Sequence, residues 1–182
     1  MHKEPKSLTF DEFADELLAE SQPRALVILA SAKLDTQLRQ AIEGFIWPKF
    51  GKARDEDELF DGLNPLSSFS ARIKIALRLG LIDKSLSDAL NMLREVRNQA
   101  AHWTSFGVTD SPLKDQLRHL QSLVNKRSSY KLTVAKFLGD GVLNDLESVK
   151  AVLLTLCVLL ESIQIKMPER SLAKIQNPFN LN

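Results

Sequence analysis

The stretch DKSLSDALNMLREVRNQAAHW, residues 83–103, decides the fold of the chain. Its apolar residues recur at steps of three and four, and at about 100° per residue this spacing brings them to one side of a helix. These residues are Leu86, Leu90, Leu93 and Ala100, with Ala89 and Val96 beside them. We therefore predict an amphipathic helix, capped by Asp83, that buries one stripe and around whose end the other helices are arranged.

The last two turns of this predicted helix carry an unusually polar group of side chains. Glu95, Asn98 and His102 share one face of the helix. Arg97 instead follows Leu93 by one turn, in line with the apolar stripe. A guanidinium in that position is partly desolvated and therefore requires a carboxylate or an anionic ligand.

Length and composition limit the class of protein. A chain of 182 residues with 44% hydrophobic residues is one ordinary domain, large enough to bury about 70% of its extended surface. The net charge of +1 gives no overall attraction to nucleic acid or anionic lipid. The chain starts with no apolar run, and its most apolar run, residues 151–160, is far shorter than the roughly 20 residues of a membrane span. We expect a cytoplasmic protein with no membrane association.

The same helical periodicity and the usual capping residues predict the other elements. Predicted helices cover residues 10–20 (capped by Thr9), 24–45 (after Pro23), 56–60, 68–79 (capped by Ser67 or Ser68, ending at Gly80), 113–124, a turn at 133–138, and 145–166. No alternating segment is long enough for a sheet, so the predicted fold class is all-α, a single-domain multi-helix bundle. The last helix is apolar nearly all round, which is typical of a central position. Residues 1–8 are predicted to be a flexible arm, 9–167 the helical domain and 168–182 a tail.

One carboxylate stands among the apolar positions of the predicted 24–45 helix. Asp35 has two interpretations from its position alone. It can lie on the surface and pair with Arg39 one turn further on. It can also point into the bundle and meet Arg97.

Four segments of the chain resemble the mannitol operon repressor (MtlR) family. They are RALVILASAKLD (residues 24–35), LFDGLNPLSSFSAR (59–72), LGLI (79–82) and RNQAAH (97–102), within a match over roughly residues 24–163. The resemblance implies a bacterial, cytosolic, all-helical protein that controls mannitol-transport genes. It implies no cofactor.

The segment from Arg97 to His102 is also similar to the Arg-x4-6-His signature of HEPN domains, which often has a polar residue such as Asn98 after the arginine. In active members the arginine neutralises phosphate and the histidine moves a proton during metal-free RNA cleavage, which suits the chemistry of both side chains. A HEPN-like ribonuclease, or an inactive descendant of one, is therefore one hypothesis. HEPN-like units often form pairs, so a homodimer is a further hypothesis. The alternative is that Arg97 and His102 tie helices together.

The predicted helices at 68–79 and 84–102 have the outline of a helix-turn-helix. A recognition helix presents polar and basic residues near its start, whereas this one has Asp83 and Asp88 against Lys84 alone. Direct DNA binding is therefore kept as a hypothesis, but the sequence shows no evident helix-turn-helix that would carry it. The densest basic region, residues 126–136, is typical of a solvated face.

Three functional hypotheses follow. The first is a transcriptional regulator that acts through a protein partner, and the second is the HEPN-like ribonuclease. The third is an interaction module that binds an anion or a peptide in a polar pocket formed by Asp35, Ser68, Arg72, Arg97 and His102. The three histidines are scattered, so no metal site is predicted, and Cys157 is expected to be an inert core residue.

Overall fold

The computed structural model describes residues 9–46, 59–107, 113–139 and 141–166, and every regular element among them is an α-helix. The elements are α1 (Phe10–Ala19), α2 (Pro23–Phe45), α3 (Phe69–Arg78), α4 (Lys84–His102), α5 (Leu113–Val124), α6 (Ser128–Phe137) and α7 (Asp145–Lys166). The predicted all-α multi-helix fold is confirmed. The predicted arm 1–8 and tail 168–182 lie outside the described residues. Residues 56–58 of the predicted 56–60 helix also lie outside the described residues, and its last two residues, 59–60, form a turn.

Local capping determines where several helices begin and end. Thr9 and Glu12 form a reciprocal capping box at the start of α1. Ser68 Oγ accepts from the Ala71 N–H at the start of α3, and Gly80, with φ 71°, follows that helix in the left-handed conformation that favours glycine. These boundaries agree with the sequence-based predictions.

The predicted bounds of α6 were wrong. This helix starts at Ser128, five residues before the predicted turn at 133–138. Its N-cap position is Arg127, which makes no side-chain capping hydrogen bond, and Thr133 is its only buried residue. Neither a capping signal nor an apolar stripe therefore marks this helix in the sequence.

The core forms around α7. Residues 151–157 are all buried, as predicted for a central helix, and α7 packs against α2, α5 and α6. Cys157 lies in this run, and burial raises the pKa of its thiol, so the side chain stays protonated and inert. Gln37 of α2 ties the two longest helices together because its Nε2 donates to the Cys157 carbonyl at 3.1 Å and to Glu161 Oε2 at 2.7 Å.

Within the described part of the chain, none of the helices combines the length and the apolar character that a membrane crossing requires.

Truncation of the central helix should destabilise the protein strongly. Leu153→Ala removes a fully buried side chain, and the cavity left behind should lower the free energy of unfolding by about 2–5 kcal/mol. Leu132→Ala is the matched control, because Leu132 is 71% exposed and should change the free energy by less than about 0.5 kcal/mol. Urea denaturation measures both values. Similar losses for the two variants would contradict the assignment of α7 to the core.

Candidate functional site

Arg72 of α3 carries a guanidinium into the molecule, where its side chain is only 8% exposed. Its Nη1 donates to Oδ1 of Asp35 on α2 at 2.6 Å. Its other nitrogens donate to carbonyl oxygens of the segment before α3, those of Leu66 (2.8 Å), Ser67 (3.1 Å) and Phe60 (3.4 Å). One side chain therefore joins two helices and the segment that precedes α3.

This ion pair corrects both interpretations of Asp35. Asp35 points toward α3, and its partner is Arg72 rather than Arg39 or Arg97. Arg39 pairs instead with Glu43 Oε1 and Asp61 Oδ1, both at 2.7 Å. Helical spacing made Arg39 a reasonable partner, but the packing of α3 against α2 brings a more deeply buried guanidinium to the carboxylate.

An open cleft of about 340 Å³ lies between α2 and α4, beside the start of α3. We call it the α2–α4 cleft. Its lining consists of Ile28, Ser31, Ala32 and Asp35 from α2, Phe69 from α3, and Arg94, Arg97 and Asn98 from α4. The structure therefore brings two residues of the predicted pocket, Asp35 and Arg97, to the lining of one cleft.

The remaining residues of the predicted pocket lie elsewhere. Arg72 is committed to the ion pair with Asp35, and Ser68 uses its hydroxyl to cap α3. His102 is the exposed last residue of α4. It follows Arg97 by five residues, which places the two side chains about 140° apart around the helix.

The environment of the Arg97 side chain differs from the one predicted. The side chain is exposed rather than desolvated, and Nη1 makes a long hydrogen bond of 3.4 Å to Asn98 Oδ1. No carboxylate of a described residue lies within 4.0 Å of its guanidinium. The physical reason is that arginine can leave an apolar stripe along its flexible stem and keep the charge in water.

Two lining residues, Ser31 and Arg94, were not identified from the sequence. Both lie at helical spacing from residues that the sequence did identify. Ser31 precedes Asp35 by one turn, and Arg94 precedes Arg97 and Asn98 by three and four residues. A search for polar side chains on the same helical faces would therefore have found them.

The charged side chains at the N-terminal turn of α4 are paired with other side chains of the protein. Arg127 Nη2 donates to both carboxylate oxygens of Asp83, at 2.6 and 2.8 Å, and Lys84 pairs with Asp88. The hydrogen bond from Arg127 lowers the pKa of the Asp83 carboxyl. The apolar stripe of α4 is buried in the core, as predicted. These features leave little free positive charge where a recognition helix would meet DNA.

The end of α4 is fixed against the start of α2. Arg24 Nη2 donates to the carbonyl oxygens of Trp103, at 2.7 Å, and Thr104, at 3.2 Å. This contact places the Trp103 backbone near the first turn of α2. The Trp103 side chain is 37% exposed, and Ile28, which lies one turn after Arg24 and lines the cleft, is 42% exposed.

No group of three or more potential metal ligands occurs among the histidine, cysteine and acidic side chains of the residues that the structure describes.

The Asp35–Arg72 ion pair, whose arginine is 8% exposed, should carry more stability than the neighbouring Arg39–Glu43 pair, whose arginine is 31% exposed. Asp35→Asn leaves the buried Arg72 without its counter-charge and should lower the free energy of unfolding by about 3 kcal/mol. Glu43→Gln is the matched control: the two carboxylates are 34% and 38% exposed on the same helix, and Arg39 keeps Asp61 in that variant. We expect a loss below about 1 kcal/mol for Glu43→Gln. Denaturant unfolding measures both losses. Equal losses of unfolding free energy in the two variants would contradict the greater contribution of the Asp35–Arg72 pair.

Comparisons with known proteins identify the fold. No protein-family model matches the chain, and no curated protein matches it. The crystal structure of a possible transcriptional regulator, YggD from Shigella flexneri, matches with a TM-score of 0.63 and 18% identity, covering 86% of this chain and 99% of that one. A chain of the X-ray structure of the MtlR–HPr complex from Escherichia coli matches with a TM-score of 0.57 and 19% identity, covering 84% of this chain and 98% of that one. The chain therefore has a fold like that of these two structures, which supports the MtlR resemblance at the level of fold, whereas nothing in the comparisons supports the HEPN resemblance.

Proposed function

We propose that this protein is a transcriptional regulator of the MtlR type that acts by binding a protein partner. The observation that carries the proposal is the likeness to the MtlR–HPr complex, because that structure contains the same kind of fold together with a protein partner. HPr is therefore the first partner to test. As the MtlR resemblance implies, the regulated genes would be those of mannitol transport, and the protein would act in the cytoplasm.

The charges at the start of α4 favour a protein partner over direct DNA reading through the beginning of this helix. Lys84, the first residue of α4, pairs with Asp88, and Arg127, at the N-cap position of α6, pairs with Asp83. A DNA-binding surface needs several cations free to contact phosphate, because neutralisation of phosphates supplies most of the non-specific affinity. The overall net charge of +1 provides no compensating attraction.

We place the partner on the surface where α2 and α4 meet. Trp103 at the end of α4 and Ile28 of α2 are partly exposed, and the exposed Arg97 lines the α2–α4 cleft together with Ile28. Tryptophan and arginine are enriched among the residues that contribute most to protein–protein binding. Exposed apolar side chains and an arginine near the junction of the two helices are thus the composition expected of a binding surface.

The ribonuclease hypothesis has less support. Its arginine and histidine would have to reach one phosphate together, but Arg97 lines the α2–α4 cleft and His102 does not. We therefore do not assign a catalytic role to Arg97, Asn98 or His102.

Removal of the exposed tryptophan should weaken partner binding. We expect HPr from the same organism to bind the full chain in isothermal titration calorimetry, and Trp103→Ala to reduce the affinity at least tenfold. Leu132→Ala, which removes an exposed apolar side chain on α6, is the matched control and should bind normally. In cells, Trp103→Ala should alter mannitol-transport transcript levels, whereas Leu132→Ala should not. Absence of HPr binding by the unmodified protein, or equal effects of the two substitutions, would refute the proposal.

A further inference from the structure

Two residues that line the α2–α4 cleft each carry a buried polar atom with no hydrogen-bond partner in the described part of the chain. The atoms are Ser31 Oγ and Arg94 Nε, and both are inaccessible to solvent. Ser31 is only 6% exposed as a residue. A buried polar group without a partner destabilises the folded state, so such groups usually have a water, an ion or a ligand to bond. Two of them lining one cleft indicate a place for a bound molecule.

The charge of the cleft identifies the kind of molecule. Arg94 and Arg97 contribute two positive charges, and neither has a described carboxylate within 4.0 Å. Asp35 is the only acidic side chain in the lining, and Arg72, which is not part of the lining, already neutralises it. With Arg72 counted, three arginines against one carboxylate leave an excess of two positive charges at the cleft, which a dianion would balance better than a monoanion.

Helical spacing directs these side chains to the same volume. Arg94, Arg97 and Asn98 follow the three- and four-residue steps of one face of α4. Ser31 lies on the facing side of α2, next to Ala32, whose small side chain leaves the cleft open. Among the described residues, the only hydrogen-bond partner of Arg97 is Asn98 Oδ1, at 3.4 Å, a weak contact that a ligand oxygen can replace.

The cleft also has an apolar part. Ile28 and Phe69 belong to its lining, so it offers a surface to a carbon skeleton as well as to a charged group. Its volume of about 340 Å³ is near the lower end of the roughly 300–1,000 Å³ of small-molecule sites. The space therefore suits one small organic molecule.

We propose that the α2–α4 cleft binds the phosphate monoester of a small organic molecule. The phosphoryl group lies between Arg94 and Arg97, the Ser31 hydroxyl and the Arg94 Nε–H donate to its oxygens, and the organic part contacts Ile28 and Phe69. A phosphate monoester carries a charge of about −1.5 to −2 at pH 7, and guanidinium groups bind its oxygens in a bidentate manner. A carboxylate carries one charge and would leave one guanidinium unbalanced. This site shares Ile28 and Arg97 with the proposed partner surface, but its test uses neither HPr nor Trp103, so the failure of one proposal can be told from the failure of the other.

Direct titration of the full chain tests this site. The probes are phenyl phosphate, benzoate and inorganic phosphate, each followed by calorimetry at pH 7.5. We expect phenyl phosphate to bind at least tenfold more tightly than benzoate because of its second charge, and more tightly than inorganic phosphate because of the apolar lining. Its affinity should fall at pH 5, where the phosphate monoester has taken up a proton.

Matched variants locate the binding. Ser31→Ala and Arg97→Gln should each weaken phenyl phosphate binding about tenfold or more, and Arg94→Gln should do the same. Arg118→Gln is the control, because Arg118 is a 67% exposed arginine of α5 outside the cleft, and it should bind normally. Ser31→Ala removes an unpartnered hydroxyl and Arg97 is exposed, so both variants should unfold at close to the usual temperature. Equal affinity for benzoate and phenyl phosphate, or phenyl phosphate binding that Ser31→Ala and Arg97→Gln leave unchanged, would overturn the assignment.

Discussion

A buried arginine, Arg72, holds the structure around the α2–α4 cleft together. A guanidinium that is 8% exposed is stable only if a counter-charge and hydrogen-bond acceptors surround it. Asp35 supplies the charge from α2, and three carbonyl oxygens of the segment before α3 supply the acceptors. Because the five donors of a guanidinium point in fixed directions, this set of partners also fixes how α3 and its preceding segment sit on α2.

The same interaction determines the charge of the cleft. Asp35 is the only carboxylate in the lining, and its pairing with Arg72 leaves it unable to neutralise a second cation fully. Within the described part of the chain, Arg94 and Arg97 therefore line the cleft without a carboxylate partner, and the buried Ser31 hydroxyl has no hydrogen-bond partner. A contact that stabilises the fold thus leaves a positively charged site available to a ligand.

Local signals in the sequence predicted most of the helices, but not how their charged side chains pair. Thr9, Ser68 and Asp83 cap helices as expected, because capping depends on residues three positions apart. The partner of Asp35 depends instead on how α3 packs against α2, and periodicity along one helix carries no information about that. The exposure of Arg97 was missed for a similar reason, since a long side chain can leave the stripe on which its Cα lies. The helix α6 lacks both a capping side chain and an apolar stripe, so its start was not predictable.

Hydrogen exchange of the Arg72→Lys variant tests the central role of this residue most directly. Lysine keeps the positive charge but cannot reach Asp35 and the carbonyl oxygens of Leu66 and Ser67 at once. We expect much faster exchange of the Leu66 and Ser67 amides, which donate to the carbonyls of Leu59 and Asn64 in the same segment, and little change in the amides of residues 151–157 in α7. Unchanged protection of the Leu66 and Ser67 amides in Arg72→Lys would contradict this central role.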